Sequence, residues 1–170
     1  MRIALLSDIH GNLPALEAVV ADLRARGVDT IVNLGDILSG PLLPLETARY
    51  LMSQDWPTIA GNHERQLLAI TAAKPGGASD RFARECLGEA ELDWLRALPA
   101  TLRLNDEVFL CHGTPRRDIE YFLDSQVGER LVLASAKDVA ERSARSDPSW
   151  SVAATRTFPG CCAVRAGNGW

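Results

Sequence analysis

Three kinds of polar group stand where short apolar runs end. LLSDIHGN places Asp8 and His10 after a run of aliphatics, VNLGD ends in Asp36, AGNHE in Asn62 and His63, and FLCHGTP carries His112. All three histidines of the 170-residue sequence occupy such positions, each beside a glycine or an asparagine. Taken singly, each residue has an ordinary explanation. A strand-end aspartate often closes a turn or caps a helix, and a lone histidine is usually a satisfied structural group. Their joint placement is harder to attribute to packing. Carboxylate, imidazole and amide oxygen form the ligand set of a mid-hardness divalent cation such as Mn²⁺, Fe²⁺ or Zn²⁺.

The surrounding pattern supplies elements able to present these groups. Ile3 to Leu6 is too short and too apolar for a surface helix and reads as a buried strand. Asn12 is placed to cap the following helix, whose first turn tolerates Pro14. Leu16, Val19, Val20 and Leu23 recur at helical spacing before Gly27 stops it. TIVNLGD predicts a second strand, ETARYLMSQ a helix and PTIAGNHE a short strand that RQLLAITAA continues as helix. KPGGASD breaks that helix and reads as a turn and cap for the next. GEAELDWLRAL is amphipathic, with Leu92, Leu95 and Leu98 on one side, and Trp56 and Trp94 are expected in the core. TLRLNDEVFLCHGTP predicts two strands around an Asn105-Asp106 turn, and SAKDVAERSAR a further helix. Strands alternating with helices give an α/β class, and ligands in open α/β sheets gather beyond the carboxyl ends of strands.

Composition narrows the function classes. The length suits one domain with a sizeable core. A formal charge of −4 leaves no basic footprint for specific nucleic-acid binding or for an anionic membrane surface. No apolar run is long enough to span a bilayer, and Met1-Arg2 leads into strand rather than a leader pattern, so a cytoplasmic location is expected. The four cysteines, Cys86, Cys111, Cys161 and Cys162, show no CxxC spacing and indicate neither a zinc ribbon nor a disulfide framework.

D-x-H at 8–10, G-D at 35–36, G-N-H-E at 61–64 and C-H-G-T-P at 111–115, in this order, resemble the calcineurin-like metallophosphoesterase superfamily, and within it the small bacterial single-domain phosphodiesterases. The resemblance implies a two-sheet β-sandwich flanked by helices on both faces. It implies two divalent cations, Mn²⁺ foremost with Fe²⁺, Zn²⁺ and Ni²⁺ as alternatives, and a metal-activated water that hydrolyses a phosphodiester or phosphomonoester. Two cations about 3.5–4 Å apart clamp both sides of an in-line displacement at phosphorus. By the same resemblance Asp8 and His10 bind the first ion, Asp36 bridges both, and Asn62 and His112 bind the second. His63 then lies beside the phosphate, stabilising charge or protonating the leaving alkoxide. Gly61 leaves room for that approach, while Glu64 reads as a first-turn carboxylate complementing a helix dipole. Thr114 and Pro115 shape the loop. The implied partner is a small phosphorylated substrate of nucleotide type. The alternative is a weakly active or inactive scaffold of the same fold that serves protein association.

One departure from the family pattern concerns the end of the chain. The family places Gly-His-[Thr/Ser]-His on a strand after the helix that follows C-H-G, and no histidine follows His112 here. The domain is therefore drawn over 1–145, with 146–170 a divergent or frame-shifted tail in which no apolar strand is expected. Back-translating VAATRT, residues 152–157, and reading from the third base of each codon permits Gly-His-Thr-His. Without those two histidines each metal site keeps three side-chain ligands, and activity is expected to fall.

Overall fold

The structure, a computed structural model, describes residues 2–143, 150–154 and 161–165. Two compact units divide the chain, Met1–Pro99 and Ala100–Trp170. Both mix helix and strand, as the α/β reading requires, with six helices and three small sheets among the described residues.

In the first unit β1 (Ile3–Leu6) and β2 (Thr30–Asn33) pair in parallel, Ile3 opposite Thr30 and Leu6 opposite Asn33. Helix α1 (Leu13–Ala25) makes the crossover. Asn12 caps it, its side-chain oxygen accepting from the Ala15 N–H at 3.2 Å, and Leu16 and Val20 are its buried residues. Val19 is largely exposed, so the buried stripe is narrower than the hydrophobic spacing suggested. The strand expected in PTIAGNHE reduces to a single bridge between Asn33 and Thr58. Pro57 has no N–H to give, Ile59 N–H bonds the Asn33 carbonyl at 3.0 Å, and the next donor on that side, on Gly61, goes to the Glu64 carboxylate at 2.8 Å.

Helices α2 (Pro44–Met52), α3 (Asn62–Leu68), α4 (Ala78–Cys86) and α5 (Glu89–Ala97) complete this unit. On α5 Leu92 and Leu95 are buried as the pattern predicted, with Leu98, Trp56 and Trp94 packed partly buried against the same core. Burial of each leucine contributes roughly 1.5–3 kcal/mol. Glu91 closes the first turn of α5 by accepting the Gly88 N–H at 3.0 Å and also receives Arg49 of α2 at 3.3 Å. Helix α4 was read only as a turn and cap. Its sole buried residues are Asp80 and Ala83, too few to show an apolar period.

In the second unit β3 (Thr101–Arg103) and β4 (Val108–His112) form the expected antiparallel pair. The Asn105 side chain accepts the N–H groups of Glu107 and Val108, both at 2.8 Å, and so makes the turn. A hairpin of β5 (Asp124–Val127) and β6 (Arg130–Leu133), and helix α6 (Ala136–Ser143), follow. The hairpin had no sequence signal, because its apolar residues do not alternate towards a buried face.

The expectation that no strand follows residue 145 is overturned. β7 (Trp150–Ala154) runs parallel to β4, and β8 (Cys161–Arg165) pairs antiparallel with β7, giving the order β3-β4-β7-β8. WSVAA shows no polar-apolar alternation, the mark by which a strand is read from sequence; its pairing with β4 and β8 makes it one. Residues 155–157, on which most of the shifted-frame reading turns, lie outside the described residues. Cys86 is a half-buried free thiol, and Cys111 is buried. Among the described residues no helix is long and apolar enough to cross a membrane.

Candidate metal centre

The site begins where β1 and β2 stop pairing as strands but continue to hydrogen-bond. The Leu34 N–H bonds the Leu6 carbonyl at 2.8 Å, Asp8 N–H the Gly35 carbonyl at 3.0 Å, His10 N–H the Asp36 carbonyl at 3.1 Å and Gly11 N–H the Ile37 carbonyl at 2.8 Å. Two loops are thereby zipped side by side. Within them Asp8, His10 and Asp36 all adopt left-handed backbone, at φ of 56°, 50° and 56°. Among non-glycine residues Asp, Asn and His tolerate this region best, yet it still costs free energy and persists only where the surroundings enforce it.

The loop that carries Asn62 and His63 is locked to Asp36. A Cβ on Gly35 would collide with the Gly61 backbone, and one on Gly61 with the Asp36 side chain, so only this glycine pair permits the approach. Glu64 completes the lock. Its fully buried carboxylate accepts the N–H groups of Asp36, Ile37 and Gly61, each at 2.8 Å. Burial, and after it the charge of Asp36, raise the pKa of Glu64, while the three backbone donors oppose that shift. In return Asp36 Oδ1 accepts the His63 N–H at 3.0 Å. Glu64 stands in the first turn of α3, as the sequence suggests, and also clamps the loop after β2 to the start of that helix.

Asp8 Oδ1 and His10 Nε2 stand 3.9 Å apart. His10 donates its Nδ1–H to the Ser39 carbonyl at 2.6 Å, leaving Nε2 as its ligand atom. One ligand atom from each of His10, Asp36 and His63 lies within 4.8 Å of the other two. The imidazole rings of His10 and His63 meet edge to face, with centroids 5.1 Å apart. Asn62 is 1% exposed, and its Oδ1 has no hydrogen-bond partner among the described residues. A buried acceptor without a donor is costly, and an oxygen-seeking cation is the partner its chemistry suits. The donor set fits the ions that the resemblance implies.

Five of the six residues singled out from sequence, Asp8, His10, Asp36, Asn62 and His63, therefore sit on the interlocked loops and the first turn of α3 in the first unit. His112 ends β4 in the second unit, 2% exposed and opposite Ala154 of β7. Beyond it Gly113 turns at φ 74°, and the Thr114 hydroxyl bonds Glu120 at 2.7 Å. The Thr114 N–H bonds the Arg117 carbonyl at 2.9 Å, so Thr114 shapes the loop as expected. A cleft of about 300 Å³ in this unit is lined by His112, Thr114, Arg116 and Arg117 among others. Sequence reasoning missed one residue of the first unit altogether. Asp80 of α4 is 5% exposed and accepts from His63 Nδ1 at 2.9 Å and from Ser39 Oγ at 2.6 Å. Burial would raise its pKa, but the bonds from His63 and Ser39 outweigh it and hold the carboxyl below the usual range. The only sequence signal was its place in GGASD.

Glycine-tied segments at parallel strand ends thus bring aspartates, histidines and an asparagine together in a group that could hold a metal ion. Residues 1–162 match the calcineurin-like phosphoesterase family, and the chain belongs to it. An uncharacterized protein of Methanocaldococcus jannaschii is 30% identical over 121 residues, 67% of this chain and 50% of that protein. The symmetrical bis(5'-nucleosyl)-tetraphosphatase of Neisseria meningitidis is 29% identical over 115 residues, 64% of this chain and 42% of that enzyme. This chain thus spans about half the length of the curated relatives it matches. Among solved structures, a metallophosphoesterase from Sphaerobacter thermophilus superposes with a TM-score of 0.71 at 29% identity, over 90% of this chain and 59% of that one.

Proposed function

We propose that this protein is a two-metal-dependent phosphoesterase that hydrolyses a phosphodiester or phosphomonoester of nucleotide type. The observation that carries the reading is the cluster of His10, Asp36 and His63, one ligand atom of each within 4.8 Å of the other two, on a backbone left-handed at Asp8, His10 and Asp36. Asp8, His10 and Asp36 would hold one ion, and Asp36, Asn62 and His112 the other, with Mn²⁺ foremost and Fe²⁺, Zn²⁺ or Ni²⁺ as alternatives. Bound ions lower the pKa of water towards about 7 and neutralise charge on phosphate oxygens. The chain's own residues do the rest. His63 gives a proton to the leaving alkoxide or stabilises developing charge, while Asn62 supplies a neutral oxygen that adds no repulsion against an anionic substrate. The family relation to a nucleoside tetraphosphatase supports the substrate class.

The test is elemental analysis of the purified chain, followed by phosphodiester and monoester assays with added Mn²⁺. Asp36→Asn is expected to lose most bound metal. His63→Ala is expected to keep its metal and lose about 10²–10⁴-fold in turnover. Wild-type metal stoichiometry in Asp36→Asn would overturn the bridging assignment, and parallel loss of metal and rate in His63→Ala would make His63 a ligand. Metal binding without turnover on any phosphoester would favour the scaffold reading.

The frame-shifted origin of residues 146–170 belongs to the same proposal. Its support is register: Ala154, the last residue of β7, stands opposite His112, so the shifted Gly-His-Thr-His would begin where that strand ends beside a proposed ligand. Sequencing the coding DNA decides it. Restoring a frame that encodes both histidines is expected to raise Mn²⁺ affinity and turnover together, and a frame without them ends the idea.

A further inference from the structure

We propose that Ser39 and Asp80 are the positioning residues that hold both histidines of the first unit with Nε2 turned into the site. The proposal rests on the phosphoesterase reading for what the histidines do, and on geometry alone for how they are held. Ser39 is the joint. Its carbonyl accepts His10 Nδ1–H at 2.6 Å, and its hydroxyl donates to Asp80 Oδ1 at 2.6 Å. The same Asp80 oxygen receives His63 Nδ1–H at 2.9 Å. One buried residue of the loop after β2 thus orients one imidazole through its backbone and the other through a carboxylate from α4. The outcome is the same at both rings: Nδ1 carries the structural hydrogen bond, and Nε2 is left for ion or phosphate.

Helix capping alone does not explain Asp80. The Gly77 N–H bonds its carboxylate at the start of α4, and an ordinary cap would need no more. The convergence of His63 and Ser39 on Oδ1, at a residue 5% exposed, is a second and independent use. An imidazole without such a partner can flip about its Cβ–Cγ bond or change tautomer, offering Nδ1 or a C–H edge to the substrate. A carboxylate accepting Nδ1–H forbids both. Asp80 touches neither substrate nor ion in this assignment; it acts through His63.

Asp80→Asn tests this, because an amide keeps the size but can present N–H to His63 and favour the wrong tautomer. In the Mn²⁺-loaded chain, with bis(p-nitrophenyl) phosphate as probe, kcat is expected to fall about 10–100-fold, with KM and bound Mn²⁺ unchanged. Added to His63→Ala, the same substitution is expected to lower kcat no further, since the two act as one unit. The second readout needs neither metal nor turnover. Nitrogen NMR of the metal-free chain is expected to show His63 protonated at Nδ1 in wild type and shifted towards Nε2–H in Asp80→Asn. An unchanged kcat in Asp80→Asn, an additive loss in the double variant, or wild-type His63 with a bare Nδ1 would each overturn the assignment. If wild type hydrolyses no phosphoester, the proposed function fails, and the tautomer measurement still decides whether Asp80 holds His63.

Discussion

The paired loops after β1 and β2, and the β5–β6 hairpin, are both short excursions of backbone, held by opposite means. The polar groups that lock the loops, from the loop after β2 and from α3 and α4, are buried. Asp36, Asn62, Glu64 and Asp80 are each 5% exposed or less, and Glu64 alone satisfies three backbone donors. In the hairpin the apolar side chains face outward, with Leu133 84% and Val127 63% exposed. Its strands are tied by their own ladder and, at the base, by Arg142 of α6, which donates to the carbonyls of Phe122 at 3.0 Å and Asp124 at 2.9 Å. The loops are tied by satisfied buried polar groups beside buried Leu34, Ile37 and Leu38, the hairpin by backbone pairing and Arg142. A buried donor cannot leave its acceptor without the full desolvation cost, whereas an exposed valine or leucine has little to lose. Among the described residues the non-glycine left-handed positions, Asp8, His10 and Asp36, all belong to these loops.

The largest expected effect breaks the lock. Glu64→Ala orphans the N–H groups of Asp36, Ile37 and Gly61 at once, and each unsatisfied buried donor costs about 1–3 kcal/mol. Chemical denaturation is expected to show at least about 3 kcal/mol of destabilisation, with Mn²⁺ affinity falling alongside. A loss under about 1 kcal/mol would mean that water or another group replaces the carboxylate, and the contrast between the two regions would collapse.

The smallest effect is expected at the other pole. Leu133→Ser removes an exposed apolar side chain, so denaturation should stay within about 0.5 kcal/mol of wild type and Mn²⁺ binding should not change. A larger loss would show that the outward face of the hairpin is covered in solution and would put it in the same class as the buried loops.

Much of this was legible in the sequence, and for identifiable reasons. Helix α1 with its Asn12 cap, the leucine spacing of α5 and the Asn105 turn show local interactions or periods that leave marks in the sequence, and β1 and β2 were legible as short apolar runs although they pair across 27 positions. The ligand residues were legible because carboxylate, imidazole and amide at the ends of apolar runs are chemically unusual wherever they recur. WSVAA was not, because a short run without alternation looks the same as a loop; β7 exists through its pairing with β4 and β8.

The sequence by itself thus determined which side chains are available for chemistry and which segments carry them. Only the tertiary structure decided how they are held. Glu64 bonds the backbone of Asp36 and Ile37 from 28 and 27 positions away, Ser39 reaches His10 across 29, and Asp80 reaches Ser39 across 41. A hydrogen bond between residues so far apart obeys no period of 2 or 3.6, and a lone Ser or Asp in a glycine-containing loop reads first as a turn. Whether Asp80 caps a helix or orients a histidine depends on what the fold sets against its free oxygen.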